Sequence, residues 1–195
     1  LRVIGGEAKG KTIKTLRGQE VRPTSDLVRE ALFAIIGSRI EGAVFLDLFA
    51  GSGSVGIEAL SRGAKETIFI DENPKCIKMI RENLAGCALK EKGRIYQSES
   101  LRFGGSSRLK PRSLDIIFID PPYGVDLAQK ALMLIDKKEV LTEGSWVIVE
   151  HFHKTRFLKE LINLKLFKER RFGTTQLSFY LYHHHDRGEE VKGEE

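Results

Sequence analysis

Ala43-Val44-Phe45-Leu46-Asp47-Leu48-Phe49-Ala50-Gly51-Ser52-Gly53-Ser54-Val55-Gly56 is the stretch that decides the fold. Its first six residues form a short apolar run, the length of a buried strand rather than of a helix. Gly51, Gly53 and Gly56 then follow the pattern G-x-G-x-x-G, and an apolar pattern of helical period continues to about Arg62. Small residues at a strand-to-helix turn let the backbone approach a ligand and let the helix pack closely on its strand. The next strand, Glu66–Asp71, ends on an acid twenty residues after Gly51. A carboxylate at that place suits a pair of ribose hydroxyls. The purely structural alternative is a tight turn, with Asp71 capping the helix that Pro74 opens.

Outward from this unit the chain keeps alternating. Residues 74–84 read as a helix with Pro near its first position, where the missing N–H costs nothing. Gly93–Gln97 reads as a strand, 98–112 shows little period, Leu114–Ile119 is a strongly apolar strand, and 125–137 is a helix. A strand at 145–150, a short helix at 154–161, and a closing hairpin of Leu164–Phe172 with 176–182 complete the series. On the N-terminal side, residues 2–5 and 11–15 read as a β-hairpin, and Thr24 or Ser25 caps a helix carrying Leu27, Val28, Ala31, Leu32, Ile35 and Ile36 on one face. Apolar strands alternating with helices imply an α/β fold: a mostly parallel sheet with helices on both faces and a C-terminal antiparallel hairpin. The expected organisation is an N-terminal β-hairpin extension (1–20), one main domain (21–183) and an acidic, disordered tail (184–195).

The glycine loop carries no Lys-Ser/Thr after its glycines, so it is not a nucleoside-triphosphate P-loop. NAD and S-adenosylmethionine remain. Asp47 closes the strand four residues before Gly51. A carboxylate there repels a pyrophosphate laid over the helix N-terminus and suits the ammonium of a methionine moiety. The loop therefore leans towards S-adenosylmethionine.

Asp120-Pro121-Pro122-Tyr123-Gly124 follows the strand Leu114–Ile119 and is the most specific feature of the chain. Pro122 stiffens the turn and holds Pro121 out of helical geometry. The Asp120 carboxylate and the Pro121 carbonyl are two acceptors for the two hydrogens of an exocyclic amine. Tyr123 offers a face on which an extruded base can stack, a contact worth about 1–3 kcal/mol. An aromatic amine is a poor nucleophile because its lone pair is delocalised; two acceptors on its hydrogens favour a more tetrahedral nitrogen. Positioning and electrostatics then suffice for an in-line displacement.

Composition bounds these readings. The 195 residues are 41% hydrophobic and 30% charged, which is globular. No apolar run reaches the ~18 residues of a membrane span, and the start lacks the core of a signal peptide. Net charge is +5, with the last ten residues holding five acids against two bases. The first forty residues hold eight Lys/Arg against four acids, and residues 154–171 hold seven against two. A basic body fits a polyanion such as nucleic acid, and equally a solvated surface. Cys76 and Cys87 match no zinc or redox spacing and suit a reduced, cytoplasmic chain. His151 and His153 lack the companions of a metal site, and none is expected.

With these residues in view the chain resembles the class I S-adenosylmethionine-dependent methyltransferases, and more narrowly the RsmD family of bacterial 16S rRNA guanine-N2 methyltransferases. The resemblance runs from about Arg2 to about Tyr182. It rests on Arg2-Val3-Ile4-Gly5-Gly6, on the segment from Arg22-Pro23-Thr24-Ser25-Asp26 to Phe33, on the block Asp47 to Gly53 with Gly56 to Ala64, and on Asp120-Pro121-Pro122-Tyr123. It implies a Rossmann-like, seven-stranded sheet. It also implies that Asp47, Phe49, Gly51, Ser52 and Gly53 line the methionine and adenosine side of S-adenosylmethionine, that Asp71 holds the ribose with Glu72 and Asn73 beside it, and that Glu99 takes the place of the family's usual Asp or Asn near the adenine. Asp120, Pro121 and Tyr123 would be catalytic, with Asp120 also bordering the cofactor and Pro122 beside the base. Arg22 and Thr24 would help close the site. The implied substrate is a guanine of 16S rRNA, 966 in the usual numbering, in a partly assembled small subunit, and the implied product is S-adenosylhomocysteine. The residues themselves leave an adenine-N6 methyltransferase acting on DNA or RNA open, and more remotely an NAD-dependent oxidoreductase. Lys9, Lys11, Lys14 and Arg17 form a candidate backbone-contact arm, with a single-stranded loop as target because the base must leave its stack. A monomer without membrane contact is expected.

Overall fold

The computed structural model describes residues 1–16, 25–104, 111–121 and 125–185. Seven strands form one sheet in the order β3-β2-β1-β4-β5-β7-β6. They are β1 (Val44–Asp47), β2 (Glu66–Asp71), β3 (Gly93–Gln97), β4 (Leu114–Ile119), β5 (Leu141–Phe152), β6 (Leu164–Phe172) and β7 (Thr175–Tyr182). The first five run parallel, and β7 enters antiparallel between β5 and β6. Helices α1 (Asp26–Ile36), α2 (Ser54–Ser61) and α3 (Pro74–Gly86) share one apolar layer; α5 (Val125–Asp136) lies on the other.

Alternation along the strands makes these two cores. Phe45, Phe69, Ile116, Phe118, Ile148 and Phe179 face α1–α3, while Leu46, Ile68, Ile70, Ile117, Ile119 and Val149 face α5. Parallel strands buried on both faces must be apolar throughout, which is why they were legible as runs. Local signals set the helix ends. Ser25 caps α1 by accepting from Val28 N at 3.3 Å, and Gly37 ends it at φ 58°. Asn73 caps α3 through Lys75 N at 2.9 Å. The cap of α3 is thus Asn73, while the Asp71 carboxylate accepts the Asn73 N–H at 2.8 Å.

Three elements differ from the sequence expectation. The helix expected at 154–161 is absent: Tyr180 Oη donates to Leu158 O at 2.9 Å, and Leu166 N to Lys159 O at 2.7 Å. This segment is pinned across β6 and β7, and its continuation is tied to Asp136, whose carboxylate accepts from Ile162 N, Asn163 N and Leu164 N at 2.7–3.0 Å. Strand β5 is longer than expected, its pairing with β4 shifting register between Leu114 and Ile116. A short helix, α4 (Ser100–Gly104), begins inside the stretch without period.

The N-terminal pieces meet in one antiparallel bridge, Arg2 with Thr12, and dock on the domain. Ile4 N and Gly5 N donate to the Glu58 carboxylate at 2.8 Å each, and Ala8 N donates to Ser61 Oγ at 2.9 Å. Glu58 and Arg29 are fully buried, 3.6 Å apart, and Arg62 Nε lies 2.7 Å from Glu58. Val3 and Ile13 join the core. The acidic tail beyond His185 lies outside the described residues.

Candidate active site

Strand order reverses between β1 and β4: β2 and β3 lie to one side, β5 to the other. A crevice opens at such a switch point beyond the carboxyl ends of the strands, the usual ligand site of an open α/β sheet. Asp47 ends β1 in register with Phe69 of β2 and Phe118 of β4. Asp71 follows Phe69 by two residues and Asp120 follows Phe118 by two. Period-two alternation therefore carries all three acids to the α1–α3 side of the same rim.

The glycine loop is shaped by backbone and packing together. Gly51 and Gly53 have φ of 53° and 76°, left-handed values that other residues adopt only with strain. A Cβ on Gly56 would come within 2.3 Å of the Phe69 ring and 2.8 Å of Thr67 Cγ2, so this glycine lets α2 lie against β2. Gly53 precedes α2 without a side-chain cap. The Asp47 carboxylate reaches the helix instead, accepting Gly56 N at 3.0 Å. Asp71 accepts Gly51 N at 2.8 Å, joining the loop to the end of β2.

Asp47 is the electrostatically unusual group. Burial, aided by the Asp71 charge and opposed by the Gly56 N–H, pushes its carboxyl up to about 7. Buried carboxylates of this kind are held near neutrality for want of a cation.

The other expected cofactor residues are less uniformly placed. Ser52 is half-buried, and its carbonyl accepts Asn83 Nδ2 at 2.9 Å. Phe49 packs on the α5-side core. Glu72 is exposed, its carbonyl accepting from Gln97. Glu99 also faces solvent and pairs with Arg102 at 3.1 Å. Asp120 and Pro121 are partly buried at the end of β4. Pro122, Tyr123, Arg17, Arg22 and Thr24 lie outside the described residues. Of the expected arm, Lys9 and Lys11 are exposed, and Lys14 pairs with Glu82 at 2.9 Å.

Two positioning residues escaped the sequence. Ser100 Oγ donates to Leu48 O at 2.6 Å, fixing the start of α4 against the end of β1. Asn83, 2% exposed, accepts from Lys14 N and donates to Lys14 O and Ser52 O, so one side chain ties the N-terminal segment to the glycine loop. A polar residue on the apolar face of α3 was the available signal. Arg29, Glu58 and Arg62, all within the blocks that carry the resemblance, form the buried ion network at the N-terminal segment and stand outside the rim.

Among the described residues no group of three or more His, Cys, Asp or Glu is placed to hold a metal, and no helix is long and apolar enough to cross a membrane. Cys76 and Cys87 are buried and unpaired with each other.

The chain has relatives among known proteins. The family model described as "Conserved hypothetical protein 95" matches residues 1–181. "Ribosomal RNA small subunit methyltransferase D" of Haemophilus influenzae is 32% identical over 181 residues, covering 92% of this chain and 93% of that protein. The protein of the same description from Escherichia coli K12 is 31% identical over 190 residues, covering 97% and 92%. The solved structure of yhhF from Escherichia coli superposes with a TM-score of 0.84 at 27% identity, covering 95% of this chain and 99% of that one.

Proposed function

The chain belongs to the RsmD family, the proteins matched by "Conserved hypothetical protein 95", and on that premise we propose that it is an rRNA methyltransferase using S-adenosylmethionine on the exocyclic N2 amine of a guanine in 16S rRNA, guanine 966 by family resemblance. One observation carries the reading: the glycine loop and Asp120 follow neighbouring parallel strands at the point where strand order reverses, the place where open α/β sheets take their ligands.

The residues present fit the cofactor. Asp47 is a buried carboxyl raised to about 7, the partner an ammonium would complete. Gly51 and Gly53 keep the loop backbone free of side chains, and Asp71 stands at the ribose end of the loop, held by Gly51 N. Glu99 is a weaker adenine partner, because it is exposed and paired with Arg102. Bound here, S-adenosylmethionine supplies an electrophilic methyl carbon on a sulfonium.

The chain's own part is positional. Asp120 accepts one hydrogen of the amine and the Pro121 carbonyl accepts the other, turning the nitrogen lone pair towards the methyl carbon. The methyl carbon would bond to nitrogen as its bonding pair to sulfur stays on sulfur, and the proton shed by the amine would pass to the Asp120 carboxylate and on to water. No covalent enzyme intermediate is needed, and the rate comes from alignment in a preorganised site.

The test is methylation of small-subunit particles from cells lacking the enzyme, with nucleosides read by mass spectrometry. N2-methylguanosine at one mapped position is expected. N6-methyladenosine would move the reading to the adenine class, and binding of NAD without S-adenosylmethionine would end it. Asp120→Ala is expected to lower turnover by on the order of 10²–10³, the usual scale for a preorganised contact to a reacting group, while S-adenosylhomocysteine affinity stays within about twofold.

A further inference from the structure

We propose that the rim running from the end of β5 to the tip of the β6–β7 hairpin is the docking surface for the single-stranded RNA that flanks the target base. Phe152 provides a stacking face, and Arg170, on the same face of the sheet, provides a phosphate contact. The inference rests on the rRNA methyltransferase reading above and says where on this chain the substrate lies.

Position comes from the register. Ile119 of β4 pairs with Val149 of β5, so Asp120 and Phe152 follow that pair by one and three residues. At about 4.8 Å between strands and 3.3 Å per residue, their Cα atoms are roughly 8–10 Å apart. Across the sheet His151 and Phe152 pair with Gln176 and Thr175, which pair in turn with Arg171 and Phe172. The hairpin tip thus lies at the same end of the sheet as Asp120, three strands over. Arg170 pairs with Leu177, a residue of the α1–α3 core, and Phe152 falls on that same side, the side of Asp120.

Chemistry points to a nucleic acid. Phe152 is 50% exposed at a strand end, and its ring meets the His153 ring edge-on with 4.6 Å between centroids. His153 is fixed by its N–H to Thr174 O at 2.9 Å. Arg170 donates to Glu169 O at 3.0 Å, so a main-chain carbonyl orients its guanidinium group, which forms no ion pair among the described residues. The Glu169 carboxylate is occupied by Gln176 and Ser178. Lys154 and Arg156 are exposed nearby in sequence. An exposed ring beside exposed cations is the composition of a single-strand site. The N-terminal arm nominated by the sequence is a poorer candidate: Lys14 is paired with Glu82, and residues 4–8 are bound to α2.

The test uses the full chain and a labelled single-stranded RNA carrying the target loop, with binding followed by anisotropy from 50 to 300 mM salt beside methyl-transfer kinetics. Arg170→Ala is expected to reduce the slope of log affinity against log salt by about 0.7, the loss of one single-strand phosphate contact. Phe152→Ala is expected to weaken binding by about tenfold at every salt concentration with the slope unchanged. In both variants KM for RNA rises, while kcat, S-adenosylhomocysteine affinity and melting temperature hold. Arg170→Lys restores the slope, which separates charge from folding. An unchanged slope and KM in Arg170→Ala overturns the docking surface alone. A wild-type chain that binds S-adenosylhomocysteine but methylates no RNA overturns the reading beneath it.

Discussion

Asp47 makes the site's electrostatics measurable. With its carboxyl at about 7, the group is largely protonated at pH 6. An ammonium-bearing ligand prefers the carboxylate, so binding below pH 7 must expel one proton. Each unit of pH below 7 then weakens affinity by about tenfold, or 1.36 kcal/mol. Calorimetry with S-adenosylhomocysteine from pH 5 to 8 should show that slope, a plateau above about 7, and release of one proton per ligand in buffers of different ionisation enthalpy. Folding has the opposite sign. An acid whose folded value is raised stabilises the fold fully below its unfolded value near 4, and this contribution is lost as pH rises to about 7. The full loss is about 4 kcal/mol at most. Asp47→Asn keeps an acceptor for Gly56 N but carries no charge. At pH 8 it should therefore melt higher than wild type, bind the ligand more weakly, and show no pH slope between 5 and 7. A flat wild-type profile without proton release, or an Asn variant that melts lower at pH 8, would refute the argument.

Two further substitutions test the scaffold. Gly56→Ala places a Cβ against the Phe69 ring and Thr67; overpacking of that kind costs about 1–3 kcal/mol, read as a lower melting temperature, with ligand affinity falling because α2 and its loop move together. Glu58→Gln leaves the buried Arg29 with the Asp26 carboxylate alone, at 3.0 Å, and weakens the anchor of Ile4 and Gly5; a loss of about 3 kcal/mol is expected, with faster proteolysis near residue 5 as a local readout.

The legible part of the molecule was what short-range rules determine. Continuous apolar runs gave the inner strands, since a strand buried on both faces has no polar alternation to confuse it with a surface element. The glycines gave the loop, because positive φ and close helix packing both exclude side chains. The rest depends on partners distant in sequence. Residues 154–161 carry an acceptable helical pattern, yet they lie where β6 and β7 offer hydrogen-bond partners, and the chain follows those instead. Glu99, expected near the adenine, faces solvent and pairs with Arg102, a partner the strand pattern did not announce. The N-terminal lysines looked like a free arm because nothing local shows that Asn83, 69 residues beyond Lys14, binds that segment.

The same register that assembles the site also loads it with like charge. Asp47, Asp71 and Asp120 share one rim because each follows the same face of alternation from strands locked by Asp47's pairing with Phe69 and Phe118. No strand can slip by one residue to relieve the crowding without turning its whole apolar set to the wrong face. Loop N–H groups offset part of the repulsion, Gly51 at Asp71 and Gly56 at Asp47. Burial first, and the Asp71 charge after it, leave Asp47 an acid that holds its proton near neutrality. A ligand that is cationic at both its amine and its sulfur answers that imbalance, and loses half of the answer once its methyl group has gone and the sulfur is neutral. Electrostatics at this rim therefore favour the charged donor over the neutral product, and an Asp71→Asn variant should narrow the difference between their affinities.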